Sequence, residues 1–413
     1  MHIVFLTHVF PSISVLTGGA ASYVANMAQI MVSNGNKVDV IVEANDKEII
    51  EWNGITIHKI RATRGFKNTG RAMPTYKKFM KNIWRSYWYN KEVNKINKQH
   101  KVDIVQSVDT YGLALFRRKN IPYVIRMSGY PALWSGAARE VFDFDKCVLS
   151  KRIDEEVQLM ALKKVNAVVS PSYLIQKIIN NKMGISPYVV ESPVMLDDSE
   201  DYKLNENDIE AGKYFLTYGD LGLRKSIHVL ALIIDKLLSE YTDMKYVIVG
   251  KNREFYYEGQ YIYASELLYS KIIKNRDRFI LLEEISDKKK LFSIVKNAAI
   301  CVLPTRVDNL PNTCLESMAL GKIIVSTTSK EGTSVEQLIT DGENGFLAEV
   351  DDPESLLNKI KYAMDLPADE KEKIQATAKE RIKDLTPKQL YKKMLQIYRE
   401  TIRNFEKKTL KQA

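Results

Sequence analysis

The chain has little cysteine. Cys147, Cys301 and Cys314 are the three among 413 residues. None stands at a paired or metal-ligand spacing, which argues against a disulfide frame or zinc site and for a reducing compartment. Histidine is also scarce: His2, His8, His58, His100 and His228. No pair has ligand spacing and no Ser-His-Asp order appears. No run approaches the roughly 18 apolar residues that would span a bilayer. The apolar start, His2 to Phe10, leads into Pro and reads as a first buried strand rather than a signal peptide. The dinucleotide fingerprint GxGxxG is missing too. Thr17-Gly18-Gly19-Ala20-Ala21 follows the first strand and would let backbone approach a ligand, but it departs from that pattern.

What is present in excess is positive charge. The net charge is +10, which favours anionic partners without choosing among them. From Arg61 to Lys101 there are twelve Lys or Arg and a single acid, Glu92. Tyr76, Phe79, Trp84, Tyr87, Trp88 and Tyr89 are interleaved with them. Met80, Ile83, Trp84, Tyr87 and Trp88 recur at helical spacing. Such a segment, 76–101, reads either as a basic amphipathic helix at an anionic membrane surface or as a helix docked on its own sheet with a solvated basic face. No nucleic-acid motif accompanies it.

At 413 residues the chain is long enough for two domains. Strand-like apolar runs are expected at Ile3–Leu6, Val38–Val42, Ile55–Lys59, Ile104–Gln106, Tyr123–Met127 and Ala167–Ser170. Helices are expected at Ala20–Ser33 and over 75–99. This is the rhythm of a doubly wound parallel sheet. A polar, acidic stretch, Asp197 to Asn207, reads as a linker. The rhythm restarts at Tyr214–Tyr218 and continues at Lys245–Val249, Phe279–Leu282, Ala299–Leu303, Ile323–Ser326 and Gly345–Ala348. The expected domains are 1–195, joined by the C-terminal helix 390–413, and 196–389.

The most informative stretch is 308–321, Asp-Asn-Leu-Pro-Asn-Thr-Cys-Leu-Glu-Ser-Met-Ala-Leu-Gly. A buried strand precedes it, a short helix follows Pro311, and Gly321 can terminate that helix. The first N–H groups of a helix have no internal partner and bind anions. Asn312 is the expected N-cap. Asp308 and Glu316 would repel a phosphate but accept hydrogen bonds from sugar hydroxyls. A nucleotide sugar offers a diphosphate, a ribose diol and a pyranose together.

Tyr218-Gly219-Asp220-Leu221-Gly222-Leu223-Arg224-Lys225-Ser226 also lies between a strand and a helix, Ile227–Ser239. Two cations at a helix start oppose the dipole and call for a compensating anion. Asp341-Gly342-Glu343-Asn344-Gly345 reads as a tight turn with no chemistry. Ser170-Pro171-Ser172 ends a strand and is a ligand contact or a cap. His8, after the first strand, is a further candidate contact.

On these residues the chain resembles the retaining nucleotide-sugar glycosyltransferases of glycosyltransferase family 4, with the GT-B fold. The likeness covers nearly the whole chain and is strongest from Tyr214 to Pro353. It is most specific from Pro304 to Ala319, where DNLPNTCLESMA resembles a DNxPNTxLEAMA variant of the family's E-x7-E motif. The resemblance implies an α/β protein of two Rossmann-like doubly wound domains facing across a cleft. It implies Glu316 on the ribose, Asp308 on the donor sugar, and the Asn312, Thr313, Cys314 and Leu315 amides on the diphosphate. Asn309, Leu310 and Pro311 would complete that wall with Gly219. Arg224 and Lys225 would stabilise the leaving diphosphate, and Gly18 and Gly19 would line the donor–acceptor junction. No metal and no cofactor are implied beyond the donor itself, a UDP-sugar foremost. Relatives often carry a His where Arg126-Met127-Ser128-Gly129 stands here, so Arg126 or Ser128 would replace it; Ser170 is a further candidate for acceptor or sugar.

The expected activity is transfer of a sugar from a nucleotide donor to a glycan or polyprenyl-linked glycan, in capsule, O-antigen or exopolysaccharide assembly. The expected location is cytoplasmic, with peripheral contact to an anionic membrane and no nucleic-acid partner. Rival readings are a nucleotide-sugar epimerase of the same architecture and a non-catalytic sugar-nucleotide-binding protein.

Overall fold

A computed structural model describes residues 1–11, 13, 19–63, 74–131, 133–134, 149–194, 209–328 and 332–411. The chain divides into two compact units. One comprises 1–132, 146–193 and 385–413; the other comprises 133–145 and 194–384.

The first unit opens with β1 (His2–Thr7), α1 (Gly19–Ser33), β2 (Lys37–Glu43), β3 (Glu48–Trp52) and β4 (Ile55–Ile60). Then come α2 (Thr75–Gln99), β5 (Ile104–Val108), β6 (Tyr123–Arg126), α3 (Leu149–Leu162), β7 (Ala167–Ser170), α4 (Tyr173–Met183) and β8 (Tyr188–Val189). Its eight-stranded sheet has the order β3-β4-β2-β1-β5-β6-β7-β8. Every pairing is parallel except β3 with β4. β1 is buried along its whole length, as a strand covered on both faces must be. β3 and β8 were not among the expected strands. β3 alternates partly buried and exposed residues and joins β4 through Asn53-Gly54, both at positive φ, a type I′ hairpin turn.

The second unit contains β9 (Tyr214–Leu221), α5 (Ile227–Glu240), β10 (Lys245–Asn252), β11 (Glu254–Tyr257), β12 (Gln260–Tyr263) and α6 (Ala264–Lys271). It continues with β13 (Phe279–Leu282), α7 (Lys288–Asn297), β14 (Ile300–Val302), α8 (Asn312–Ala319), β15 (Ile324–Thr327) and β16 (Phe346–Ala348). α9 (Pro353–Asp365) and α10 (Ala368–Ile382) complete it, and α11 (Pro387–Leu410) returns to the first unit. The sheet order is β13-β10-β9-β14-β15-β16, all parallel. Its core is built from α5 (Ile227, Leu230, Ile233, Ile234, Leu237) against Phe215, Tyr246 and Ile248 of the strands. The β11–β12 hairpin was not expected; Glu258-Gly259 turns it at positive φ.

α11 docks on the first unit through Tyr398, whose hydroxyl donates to Gln106, and through Tyr391, which accepts from Asn36 at 3.3 Å.

α2 docks, but not by its aromatic stripe. Asn82, Arg85, Ser86, Tyr89, Asn90, Glu92, Val93 and Ile96 are the buried positions. Tyr89 Oη donates to Thr7 O at 2.7 Å, and Asn90 and Ser86 donate to Leu113 O at 2.8 and 2.9 Å. Tyr76, Met80, Trp84 and Tyr87 stay exposed. Buried polar groups carry the docked face because each finds a hydrogen-bond partner. Among the described residues no helix is long and apolar enough to cross a membrane.

Candidate active site

In the second sheet, β9 has β10 on one side and β14 on the other. The chain winds outward from β9 to β10 and β13, then crosses back to β14. Ligands of open parallel sheets bind beyond the carboxyl ends of the strands at such a reversal. Both expected motifs leave those two strand ends: 218–226 follows β9 and 303–316 follows β14.

The two loops are bonded to each other. Arg306 N and Val307 N donate to Arg224 O at 2.9 and 3.2 Å. Lys225 Nζ lies 2.7 Å from Asp308 Oδ2, with both side chains about one-fifth exposed. Tyr218 Oη donates to Thr313 O at 2.8 Å, pinning α8 to β9. Gly219 has φ +127, and a Cβ there would reach Thr313 Cγ2 at 3.5 Å. A Cβ on Gly250 of β10 would stand 1.9 Å from Gly219 O, so this neighbour must also be glycine. Arg224 Nη2 pairs with Asp220 Oδ2 at 2.7 Å, and Arg253 pairs with the same carboxylate. The cations therefore have carboxylate partners within the chain. The compensating anion expected from outside is supplied by Asp220 and Asp308, which corrects that inference. Each ammonium and guanidinium still has donors to spare, three and five in all.

Asn312 is not the cap. Pro311 caps α8 and Asn312 is the first helical residue. Pro311 has an extended ψ and offers its carbonyl to the helix; Cys314 N and Leu315 N donate to it at 3.0 and 3.3 Å. The amides of Asn312 and Thr313 precede the helix's own ladder and are the ones geometry leaves for an anion. Leu310 and Asn309 are buried beside them. Cys314 and Leu315 point into the core, and burial pushes the Cys314 thiol up to about 12 and Cys301 to about 11. Both are inert as nucleophiles at neutral pH. Gly321, at φ +67, ends the helix; Lys322 N donates back to Ser317 O at 2.9 Å. Glu316 faces out of α8 and meets Lys288 Nζ at 2.8 Å.

Three features of this end had no sequence forecast. Lys288 opens α7 and holds Glu316. His228 Nε2 lies 3.3 Å from Asp351 Oδ1, and Arg306 Nε lies 2.8 Å from Asp351 Oδ2, on a residue with φ +58. Asp220 serves two arginines. Each is a lone polar residue in a loop or first turn, which no spacing rule marks.

The first sheet reverses in the same way, with β1 between β2 and β5. His8 follows β1; its ring meets Tyr111 edge-on at 5.1 Å. Burial, with the Arg85 charge, lowers His8 to about 4, so the ring is neutral at pH 7. Asp109 follows β5 and was not forecast. It accepts from Gln158 Nε2 and from Gly129 N at 3.4 Å, and burial raises it to about 6. Arg126 is buried, its guanidinium 3.5 Å from the Tyr23 ring centroid, and it donates to Ser192 Oγ at 3.1 Å. The Ser128 hydroxyl is buried without a partner among the described residues. Ser170 is buried and bonds to Ser172 O at 2.7 Å, while Ser172 caps α4 through Ile175 N. Gly19 opens α1; Gly18 lies outside the described residues.

Two family models match. "Glycosyltransferase Family 4" matches residues 17–197 and "Glycosyl transferases group 1" matches 198–381. No curated protein matches in sequence. Among solved structures, sucrose-phosphate synthase from Thermosynechococcus elongatus has a TM-score of 0.74 at 16% identity, covering 97% of this chain and 98% of that one. The catalytic domain of starch synthase IV from Arabidopsis thaliana, bound to ADP and acarbose, has 0.67 at 11%, covering 97% and 99%. Anabaena HepE in complex with UDP and glucose has 0.64 at 14%, covering 97% and 100%. At these identities the likeness speaks to the fold. With the two family matches following one another along nearly all of the sequence, the chain belongs to the GT-B nucleotide-sugar glycosyltransferases, family 4.

Proposed function

We propose that this glycosyltransferase takes a UDP-sugar, binds its nucleotide at the carboxyl ends of β9 and β14, and transfers the sugar with retention to a hydroxyl of a polyprenyl-linked or other glycan. One observation carries the reading. The Lys225–Asp308 pair, the start of α8 and Glu316 come together at the reversal of the second sheet. The Asn312 and Thr313 amides present the positive end of the helix dipole to a diphosphate. Lys225 donates to Asp308 at 2.7 Å and to Thr305 Oγ1 at 3.5 Å and keeps its third N–H for a phosphate oxygen. Arg224, anchored by Asp220, does the same from the other side of the turn.

Bond cleavage builds negative charge on the leaving diphosphate. Fixed donors aimed at that charge lower the barrier. Retention follows when the acceptor enters on the face the diphosphate leaves. The acceptor oxygen forms its bond to the anomeric carbon as the carbon–phosphate oxygen bond breaks. The departing phosphate oxygen takes the acceptor's proton. Asp308 fixes the sugar through hydroxyl hydrogen bonds, and Glu316 takes the ribose diol in place of Lys288. His8, neutral, is the side chain of the first unit reserved for an uncharged acceptor or sugar hydroxyl. No cofactor and no metal enter this scheme. The products suit capsule, O-antigen or exopolysaccharide assembly at the cytoplasmic side of a membrane.

A thermal-shift screen of UDP, GDP, ADP and their sugars tests the donor. A ligand at about 100 times its Kd stabilises the protein by roughly 2.7 kcal/mol. No shift with any nucleotide sugar would refute the donor assignment. Proton NMR of the product reads the anomeric configuration, and an inverted linkage would refute retention. Isomerised donor without acceptor would favour the epimerase instead.

A further inference from the structure

α2 places its residues against the usual order of burial. An amphipathic helix normally buries its apolar stripe and shows its polar one. Here Asn82, Arg85, Ser86 and Asn90 are buried, while Trp84 and Tyr87 are 44% and 46% exposed. Six of the exposed positions fall on one line: Tyr76, Met80, Trp84, Tyr87, Lys91 and Lys95 follow each other at steps of four, four, three, four and four. Trp84, Tyr87 and Trp88 form a surface cluster with ring centroids 5.7–6.0 Å apart. Lys91 Nζ lies over the Trp88 ring at 4.5 Å. Folding alone gives no reason to hold Trp84 and Tyr87 outward with Trp88 half-buried beside them, since burying each would stabilise the unit.

The charge of this face has one sign. Of the seven Lys or Arg of α2, Lys77, Lys91, Lys95 and Lys98 are exposed, while Arg85 is buried against Glu43 and Lys78 pairs with Asp154. The one acid of α2, Glu92, is buried and turned to His58 at 3.5 Å, with Lys95 at 3.2 Å. The neighbouring segment adds to the same character. Phe116 is exposed, heads the run Arg117-Arg118-Lys119, and is bonded to α2 through its amide and Ser86 Oγ at 3.1 Å. Aromatic rings with polar edges favour the zone between lipid chains and water, and lysines keep their heads in it.

We infer that the Tyr76–Lys95 face of α2 is a docking surface for an anionic lipid bilayer, lying in the headgroup plane with Trp84, Tyr87 and Trp88 inserted. A bilayer with acidic headgroups supplies the apolar layer and the negative charge in one partner. The inference goes beyond the donor chemistry and stands on the helix alone.

The test uses the full chain and sedimentation with two vesicle types, phosphatidylcholine alone and phosphatidylcholine mixed with phosphatidylglycerol. The expected result is pelleting with the mixed vesicles, a blue shift of tryptophan emission, and loss of both in Trp84→Ser/Tyr87→Ser. Lys77→Ala and Lys91→Ala each weaken binding about fivefold, the factor that about 1 kcal/mol per surface cation gives. The UDP-induced thermal shift is retained in these variants, which separates this surface from the donor site. Equal binding to both vesicle types overturns the proposal. So does a stripe-dependent dimer, or stripe-dependent RNA binding, without vesicle binding.

Discussion

At the ends of β9 and β14, Arg224, Lys225, Asp308 and Glu316 stand as charged pairs with part of each side chain in water. At the matching ends of β1 and β5 stand His8 and Asp109, where burial drives both towards their neutral forms. The two sheets reverse in the same way, so topology alone does not say what binds. The difference lies in solvation. The second unit leaves its charged pairs partly in water. The first unit desolvates its groups, which suits hydroxyls rather than phosphates.

The largest effect should come from Gly250→Ala, which alters no charge. Its Cβ would drive into Gly219 O and displace the end of β9. We expect a loss of about 3 kcal/mol or more in stability, read by urea denaturation, together with lost UDP binding. Unchanged UDP affinity would show that the charged ends do not depend on β9's exact path.

Asp109→Asn probes the other sheet. The folded pKa, about 6, lies above the unfolded value of 3.8. The folded state therefore binds this proton more tightly, and stability rises as pH falls from 6 towards 4. The ionised carboxylate costs roughly 3 kcal/mol above pH 7. The variant should be more stable than the parent at pH 8 and lose that slope. A lower Tm at pH 8 would mean the carboxylate is held for its bonds to Gln158 and Gly129.

Lys225→Ala and Glu316→Ala should each lower kcat/KM about 10- to 100-fold, or roughly 1.4–2.7 kcal/mol of transition-state stabilisation. Arg126→Met, in the first unit, should act mainly on stability. Initial rates with the parent and three variants decide whether the two regions divide as described.

The smallest effect concerns Asp39, which accepts from His2 and His58 at 2.6 Å each. Burial opposes its ionisation, but the two histidines outweigh that and lower it to about 2. Its stabilisation, roughly 2 kcal/mol, is present above pH 4 and lost as pH falls towards 2. Burial opposes the charge on His58, but Asp39 and Glu92 outweigh it and raise the group, so its share is full below pH 6.5 and lost as pH rises through its folded value. Asp39→Asn should therefore lower Tm most between about pH 4 and 6.5. A pH-independent loss would assign the effect to packing.

Most parallel strands were legible because a strand buried on both faces is a continuous apolar run, as in Ile3–Leu6 and Tyr246–Val249. β3 was missed although its Asn53-Gly54 turn is a strong hairpin signal; its run, Glu-Ile-Ile-Glu-Trp, is too polar at an edge to read as core. β11 and β12 were missed because each is only four residues long, and the face they turn to the core, Phe255, Tyr257 and Ile262, is only partly buried. In the site, the loop motifs were legible because strand, glycine loop and helix follow in order. The pairs Lys225–Asp308 and Glu316–Lys288 were not, because they join loops 83 and 28 residues apart. The outward stripe of α2 was visible as a stripe, but its direction depended on which groups found partners on the other face.

The most direct measurement is calorimetric titration of UDP into the parent, Lys225→Ala and His8→Ala proteins. Kd should rise at least about tenfold, or 1.4 kcal/mol, for Lys225→Ala and stay unchanged for His8→Ala. Unchanged affinity for Lys225→Ala, with loss for His8→Ala, would contradict this and move the nucleotide to the first sheet.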